Sequence, residues 1–150
     1  MYMTHIKCYK FGNIQVINIL LKHPLSKAYA IDPWIDYDEY SEYKKDTTQY
    51  DNESNFNICM NNIKNHANAK QAPYMHNNKL TIIRDMSDNA IPKLKNNFFD
   101  IIYIDGNHKT EFVYNDATNV LSKLKNGGIL IFDDSSWKDV SVGIDKFINE

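Results

Sequence analysis

Short apolar runs alternate along the chain with longer stretches in which apolar residues recur every three or four positions, the pattern of strands alternating with helices. The sharpest runs are FDIIYI at 99–104, closed by Gly106, and ILIF at 129–132, opened by Gly127 and Gly128. Between them Val113, Ala117, Val120, Leu121 and Leu124 share one helical face. A strand, a covering helix and a second strand form a right-handed parallel crossover in nearly every known case, so both strands finish at the same sheet edge. Asp105 follows the first run, and Asp133 and Asp134 follow the second. Adjacent strands lie about 4.8 Å apart. The pattern therefore predicts carboxylates converging outside the strand ends, where open α/β sheets bind their ligands.

The remainder of the chain extends the alternation. Residues 13–23, with Ile14, Val16, Ile17, Ile19, Leu20 and Leu21, predict a helix buried on two sides that stops before Pro24. KAYAID at 27–32 predicts a short buried strand ending in an acid, after which Pro33 and Trp34 turn the chain outward. Phe56, Cys59, Met60, Ile63 and Ala67 mark one face of a helix from Glu53 onward, with Asp51 or Asn52 available as its cap. LTIIR at 80–84 is a further strand, followed by Asp85, Met86 and Ser87 and a short helical turn limited by Pro92. Val140, Ile144, Phe147 and Ile148 predict a final amphipathic helix. Residues 35–51, rich in Asp, Glu and Tyr, show no period and predict a long loop or loosely helical excursion of the kind that covers ligands. YMTHIK near the start is the least clear segment, neither long nor cleanly apolar. Together these elements make a three-layer α/β architecture.

Composition narrows the function classes. At 150 residues, without repeats or a linker, the chain has the size of a single domain. A net charge of −2 supplies no basic field for nucleic acid or an anionic membrane. The sequence shows neither a bilayer-spanning apolar run nor a signal peptide, so a cytoplasmic location is expected. Cys8 and Cys59 match no metal-binding spacing and are expected as reduced thiols. Asn52, Glu53 and Ser54 spell a glycosylation acceptor, which has no use without a secretory signal.

Four segments, SKAYAIDPW, RDMS, FDIIYIDGNH and LKNGGILIFDD, resemble in order and spacing the successive strand ends of class I S-adenosylmethionine-dependent methyltransferases. The resemblance covers roughly residues 13–148 and is strongest to small-molecule O-methyltransferases with a DGxH segment and a later pair of acids. It implies a Rossmann-like three-layer α/β/α sandwich with a mostly parallel sheet. It also implies S-adenosylmethionine as cofactor and a small-molecule hydroxyl as methyl acceptor. By the same resemblance, Asp32 would accept hydrogen bonds from the ribose hydroxyls with Trp34 beside it, and Asp85 and Met86 would flank the adenine. Tyr9, Gly12 and Asp105 would line the rest of the cofactor. Asp105, Asp133 and Asp134 resemble the divalent-metal ligands of some members, and Mg²⁺ there would relieve the repulsion among the acids. It would also lower the pKa of an acceptor hydroxyl. Asn107 and His108 occupy the catalytic segment. Asn107 stands where metal-using relatives carry a second acid, and an amide cannot take the proton. His108 is then the expected base, with a capping or packing role before the next helix as its alternative.

The resemblance breaks at both ends. The family's first strand and glycine loop read close to EIGSxxGxS, whereas this chain has HIKCYKFGN. His5 stands in place of the acid, Lys7 replaces the first glycine, and only Gly12 fits, after a shift of one residue. Lys7 would project a long side chain into the methionine pocket. The antiparallel hairpin that closes the family's sheet has no counterpart after the last helix. A degenerate first strand, a missing C-terminal hairpin and a chain truncated at both ends are the resulting expectations. They set a second function beside the enzyme: a catalytically inactive methyltransferase-like remnant that serves as a binding or oligomerising module, such as a homo-oligomer. A weaker third match is Asp36, Tyr37 and Asp38, a DxD-like pair of metal-dependent glycosyltransferases, here without a sugar-nucleotide motif. Neither a nucleic acid nor a membrane is an expected partner.

Overall fold

Five parallel strands form one sheet in the order β3-β2-β1-β4-β5 in the computed structural model, which describes residues 2–6, 27–35, 52–69 and 79–150. The strands are β1 Tyr2–Ile6, β2 Lys27–Ile31, β3 Leu80–Ile83, β4 Phe99–Ile104 and β5 Leu124–Phe132. Strand order reverses at β1: the chain steps outward to β2 and β3, then returns to β4 and β5 on the other side. Such a reversal opens a crevice at the carboxyl ends of the strands. The α/β class and the parallel sheet are as the sequence implied.

The sequence of β1 departs from the family pattern, yet its backbone is the central strand. It pairs with β2 from Tyr2↔Lys27 to Ile6↔Ile31 and with β4 from Met3↔Ile101 to Ile6↔Ile104. Ladder hydrogen bonds on both sides come from the main chain, so a mixed run such as YMTHI suffices. The other correction falls on β5, which begins at Leu124, well before the apolar run at 129–132. Leu124 was expected on the preceding helix, which ends instead at Leu121; Leu124 pairs with Phe99. Register then shifts between Phe99 and Ile101. Gly127 has φ +76°, and a Cβ on Gly128 would stand 2.8 Å from the Leu124 side chain and 2.9 Å from the Lys125 carbonyl oxygen. The two glycines thus form an irregularity within the strand, Gly127 through its left-handed backbone and Gly128 because a side chain there has no room.

Among the described residues the helices are α1 Asn52–Ala69, α2 Ser87–Ala90, α3 Thr110–Leu121 and α4 Lys138–Asn149; a 3₁₀ turn at Ile91–Lys93 takes up Pro92 after α2. Alternate residues of a strand point to opposite faces, and two cores follow. Ala28, Ala30 and Leu80 pack with Trp34 and with Cys59 and Ile63 of α1. Ile31, Phe99, Ile102 and Ile104 pack with Ile91 and with Ala117 and Val120 of α3. Full burial of side chains such as Phe99, Ile63 and Ile102 stabilises by about 1.5–3 kcal/mol each. On α4, Val140 and Gly143 are buried, and Phe147 packs against the second core. Ile148, expected on the same apolar face, is 68% exposed. The expected helix at 13–23, residues 36–51 of the expected loop, Lys7, Cys8, Tyr9 and Gly12 lie outside the described residues. No helix among the described residues is long and apolar enough to cross a membrane.

Candidate active site at the carboxyl edge of the sheet

The sheet register places the last residues of all five strands in one row, through Ile31↔Ile83, Ile6↔Ile31, Ile6↔Ile104 and Ile104↔Phe132. Asp32, Arg84, Asp105 and Asp133 therefore leave the sheet from a common edge. Two backbone bonds extend the ladder by a residue, Asp32 N–H to Ile83 O at 3.1 Å and Asp133 N–H to Ile104 O at 2.9 Å. The acids begin from main chain that the sheet itself fixes.

At the β2 end, Asp32 is buried, and its Oδ1 accepts the Trp34 N–H at 2.8 Å. Trp34 closes this turn at φ 47°, in the left-handed region. Its indole goes into the core, 5.0 Å from the Phe56 ring in a T-shaped contact. Trp34 thus orients Asp32 through its backbone, and its ring packs against α1. At the β3 end, Asp85 Oδ1 accepts the Met86 N–H at 2.9 Å and the Asn89 amide at 3.1 Å, while Oδ2 accepts Lys93 Nζ at 3.1 Å. Asn89 first and Lys93 next hold the Asp85 carboxyl below the ordinary carboxylate value. Beside it Arg84 pairs with Glu53 at 2.6 Å and lies 4.4 Å over the Phe56 ring, tying β3 to α1.

The ends of β4 and β5 bring the remaining candidates together. His108 Nε2 lies 3.1 Å from Asp134 Oδ2 and 3.8 Å from Asp105 Oδ1. The shorter separation is an ion-pair distance only, and Nε2 is buried without a hydrogen-bond partner. Ligand atoms of Asp105, His108 and Asp134 all lie within 4.8 Å of one another. Asp134 reaches this position from a left-handed backbone, φ 46°, its carbonyl accepting the Trp137 N–H at 2.8 Å. Asp133, expected in the same set, is engaged elsewhere: its Oδ1 accepts the Asp134 N–H at 3.0 Å, and it hydrogen-bonds the Tyr103 hydroxyl. Burial first, then that bond to Asp133, push the Tyr103 phenol above its ordinary range, so Tyr103 is the donor.

Asn107 is 8% exposed, and its Oδ1 accepts the Lys109 N–H at 3.0 Å in the turn that opens α3. That bond fixes the amide, and Nδ2 is left buried without a partner. The half-exposed Trp137 lies 4.8 Å from His108 ring to ring and walls the corner toward solvent. Tyr103 and Trp137 escaped the sequence reasoning. Tyr103 is one alternate position of a strand, and Trp137 sits beyond the acids in a segment with no period.

A buried unsatisfied amide donor, an imidazole nitrogen without a hydrogen bond and two carboxylates within reach make a corner that can accept a proton or ligate a cation. Against this geometry, residues 14–135 match the family model described as a methyltransferase domain. A protein from Corynebacterium glutamicum of known crystal structure is similar in fold, with a TM-score of 0.59 and 13% identity. The alignment covers 99% of this chain and 62% of that one, so the chain spans well under the full length of this neighbour. No curated protein sequence matches. With the family model matched over most of its length, the chain belongs to the methyltransferase domain family, whose membership implies S-adenosylmethionine as cofactor.

Proposed function

We propose that this domain transfers the methyl group of S-adenosylmethionine to a hydroxyl of a small molecule, with His108 taking the hydroxyl proton. The observation that carries the proposal is the His108 Nε2, buried, without a hydrogen bond, and 3.1 and 3.8 Å from the carboxylates of Asp134 and Asp105. Those carboxylates offset the positive charge that the ring gains on accepting a proton. The residues present suit the cofactor: Asp32 offers a fixed carboxylate for ribose hydroxyls, and an acidic edge favours a sulfonium cation. When bound, the cofactor supplies a sulfonium methyl that passes to the acceptor oxygen as the carbon–sulfur bond breaks. Asp85 is committed to Met86, Asn89 and Lys93, which leaves the Met86 side chain as an apolar wall for the adenine. Asn107 Nδ2 is a donor awaiting an oxygen, a group that orients rather than reacts. Direct displacement rewards such orientation more than acid or base strength.

One observation favours a second reading. Asp105, His108 and Asp134 offer ligand atoms within 4.8 Å of one another, which suits a divalent cation. Mg²⁺ prefers oxygen alone, while an imidazole ligand suits a metal such as Mn²⁺ or Zn²⁺ better. In that case the cation would acidify the acceptor hydroxyl, and His108 would be a ligand.

Calorimetric titration with S-adenosylmethionine, alone and with Mg²⁺ or Mn²⁺, tests both. Saturable micromolar binding, about −8 kcal/mol, is expected for the wild-type chain and is lost in Asp32→Ala. In Asp134→Ala cofactor binding persists, and any dependence on the cation disappears. Normal binding by Asp32→Ala would show the site assignment to be wrong. No heat from a folded chain would favour the inactive, methyltransferase-like binding module.

A further inference from the structure

Asp116 is an acid on the buried face of α3, beside Val113, Ala117 and Val120, and is only 5% exposed. A carboxylate in such a place is costly unless its neighbours need it. On one side Ser87, the first residue of α2, hydrogen-bonds it, and Asp88 adds a like charge. On another side it packs directly on the backbone of Gly106, where a Cβ would stand 2.8 Å from Asp116 Oδ2. One turn further along α3, the Asn119 amide donates to Asp88 Oδ1 at 3.3 Å, a second tie between the same two helices.

Ser87 directly follows Asp85 and Met86, and Gly106 sits between Asp105 and the Asn107–His108 pair. These loops leave β3 and β4, which β2 and β1 separate in the sheet. Three strand spacings put the two loops about 14 Å apart at their origins, so the sheet alone does not bring them into contact. The short run from α2 through the 3₁₀ turn packs into the second core through Ala90 and Ile91, and Asp116 is a side chain that meets both Ser87 and Gly106. We infer that Asp116 is a positioning residue: wedged between Ser87 and Gly106, it sets the separation of the β3 and β4 loops and so the alignment of a ligand that spans them. The inference rests on the reading of this edge as the cofactor site.

The test compares two ligands of different reach. Adenosine needs only the β2 and β3 ends, whereas S-adenosylhomocysteine extends toward β4. Binding of each to the full chain is measured by calorimetry for wild type, Asp116→Ala and Asp116→Asn. For Asp116→Ala the expected result is S-adenosylhomocysteine weakened about tenfold and adenosine changed by less than about twofold, the scale of one lost hydrogen bond to a charged group. Asp116→Asn, which keeps the shape and an acceptor oxygen, restores the longer ligand. Equal weakening of both ligands, or no weakening, overturns the inference and leaves the cofactor site standing. A wild-type chain that binds neither ligand overturns both together. If Asp116→Ala fails to fold by circular dichroism, Ser87→Ala removes only the hydroxyl from the same contact. A selective loss of S-adenosylhomocysteine binding there supports the inference, and parallel changes in the two ligands overturn it.

Discussion

Burial pushes the Asp116 carboxyl up to about 6 from its ordinary value of 3.8, with Asp88 adding to the rise and the Ser87 hydrogen bond opposing it. Between these two values the folded chain binds more protons at this group than the unfolded chain does. Its contribution to stability is therefore fully present below pH 3.8 and is lost as pH rises through about 6. A shift of about two units corresponds to roughly 3 kcal/mol at most. Asp116→Asn removes the ionisation and keeps the shape, so it should stabilise the chain by about 2–3 kcal/mol at pH 8 and by almost nothing at pH 4. Urea denaturation at the two pH values checks this, and a gain independent of pH would contradict it. The same residue shows what sequence reasoning could and could not reach in the site. Asp32, Asp105 and Asp134 were legible because an acid after an apolar run marks a strand end. Asp116 was not, since an acid one position before Ala117 on a helix looks like the polar neighbour of an apolar stripe. Nor was the approach of Asp134 to His108, which depends on a left-handed φ of 46° at Asp134.

Packing of α3 against α4 turns on Gly143. A Cβ there would stand 2.8 Å from the Thr110 carbonyl oxygen and 2.9 Å from Val113 Cβ. Backbone at the start of α3 cannot yield as a side-chain tip can, and the Thr110 hydroxyl is itself bonded to the Asp139 carbonyl oxygen at 3.0 Å. Gly143→Ala should therefore separate the helices at an overpacking cost of about 1–3 kcal/mol. Only part of that cost is offset by the better helix propensity of alanine, up to about 1 kcal/mol. A net loss of stability in denaturant melts is expected, and a net gain would mean that the contact is not tight. Elements with one dominant pattern were legible from sequence: β4 as an unbroken apolar run, α1 and α3 from their helical stripes. Leu124 misled because it continues the spacing of Val120 and Leu121 although the helix ends at Leu121. Gly127 and Gly128 read as a boundary because a glycine pair is the usual punctuation, whereas here they bend a strand whose first pairing is already made. The central strand β1 was obscure because its place is decided by backbone pairing on two sides, which no periodicity reports.

At the scale of the whole molecule, the candidate site has no home in any one element. Asp32 comes from the end of β2, Asp85 and Met86 from β3, Asp105 and His108 from β4, and Asp134 from β5. Its formation requires the assembled sheet, so the unfolded chain has no equivalent affinity and ligand binding must appear as added stability. At a hundredfold excess over its dissociation constant, S-adenosylhomocysteine should contribute about 2.7 kcal/mol. For a chain of 150 residues, that corresponds to a rise in melting temperature of roughly 5–10 °C. Asp32→Ala, which leaves the Trp34 N–H without its acceptor, should melt below the wild-type temperature without ligand and show no rise with it. Mn²⁺ alone should raise the melting temperature of the wild-type chain but not of Asp134→Ala if the corner of Asp105, His108 and Asp134 ligates a cation. Two thermal melts thus separate the readings. A rise with S-adenosylhomocysteine and none with Mn²⁺ leaves His108 as the base. A cooperative melt that neither ligand moves leaves a methyltransferase fold that binds no cofactor.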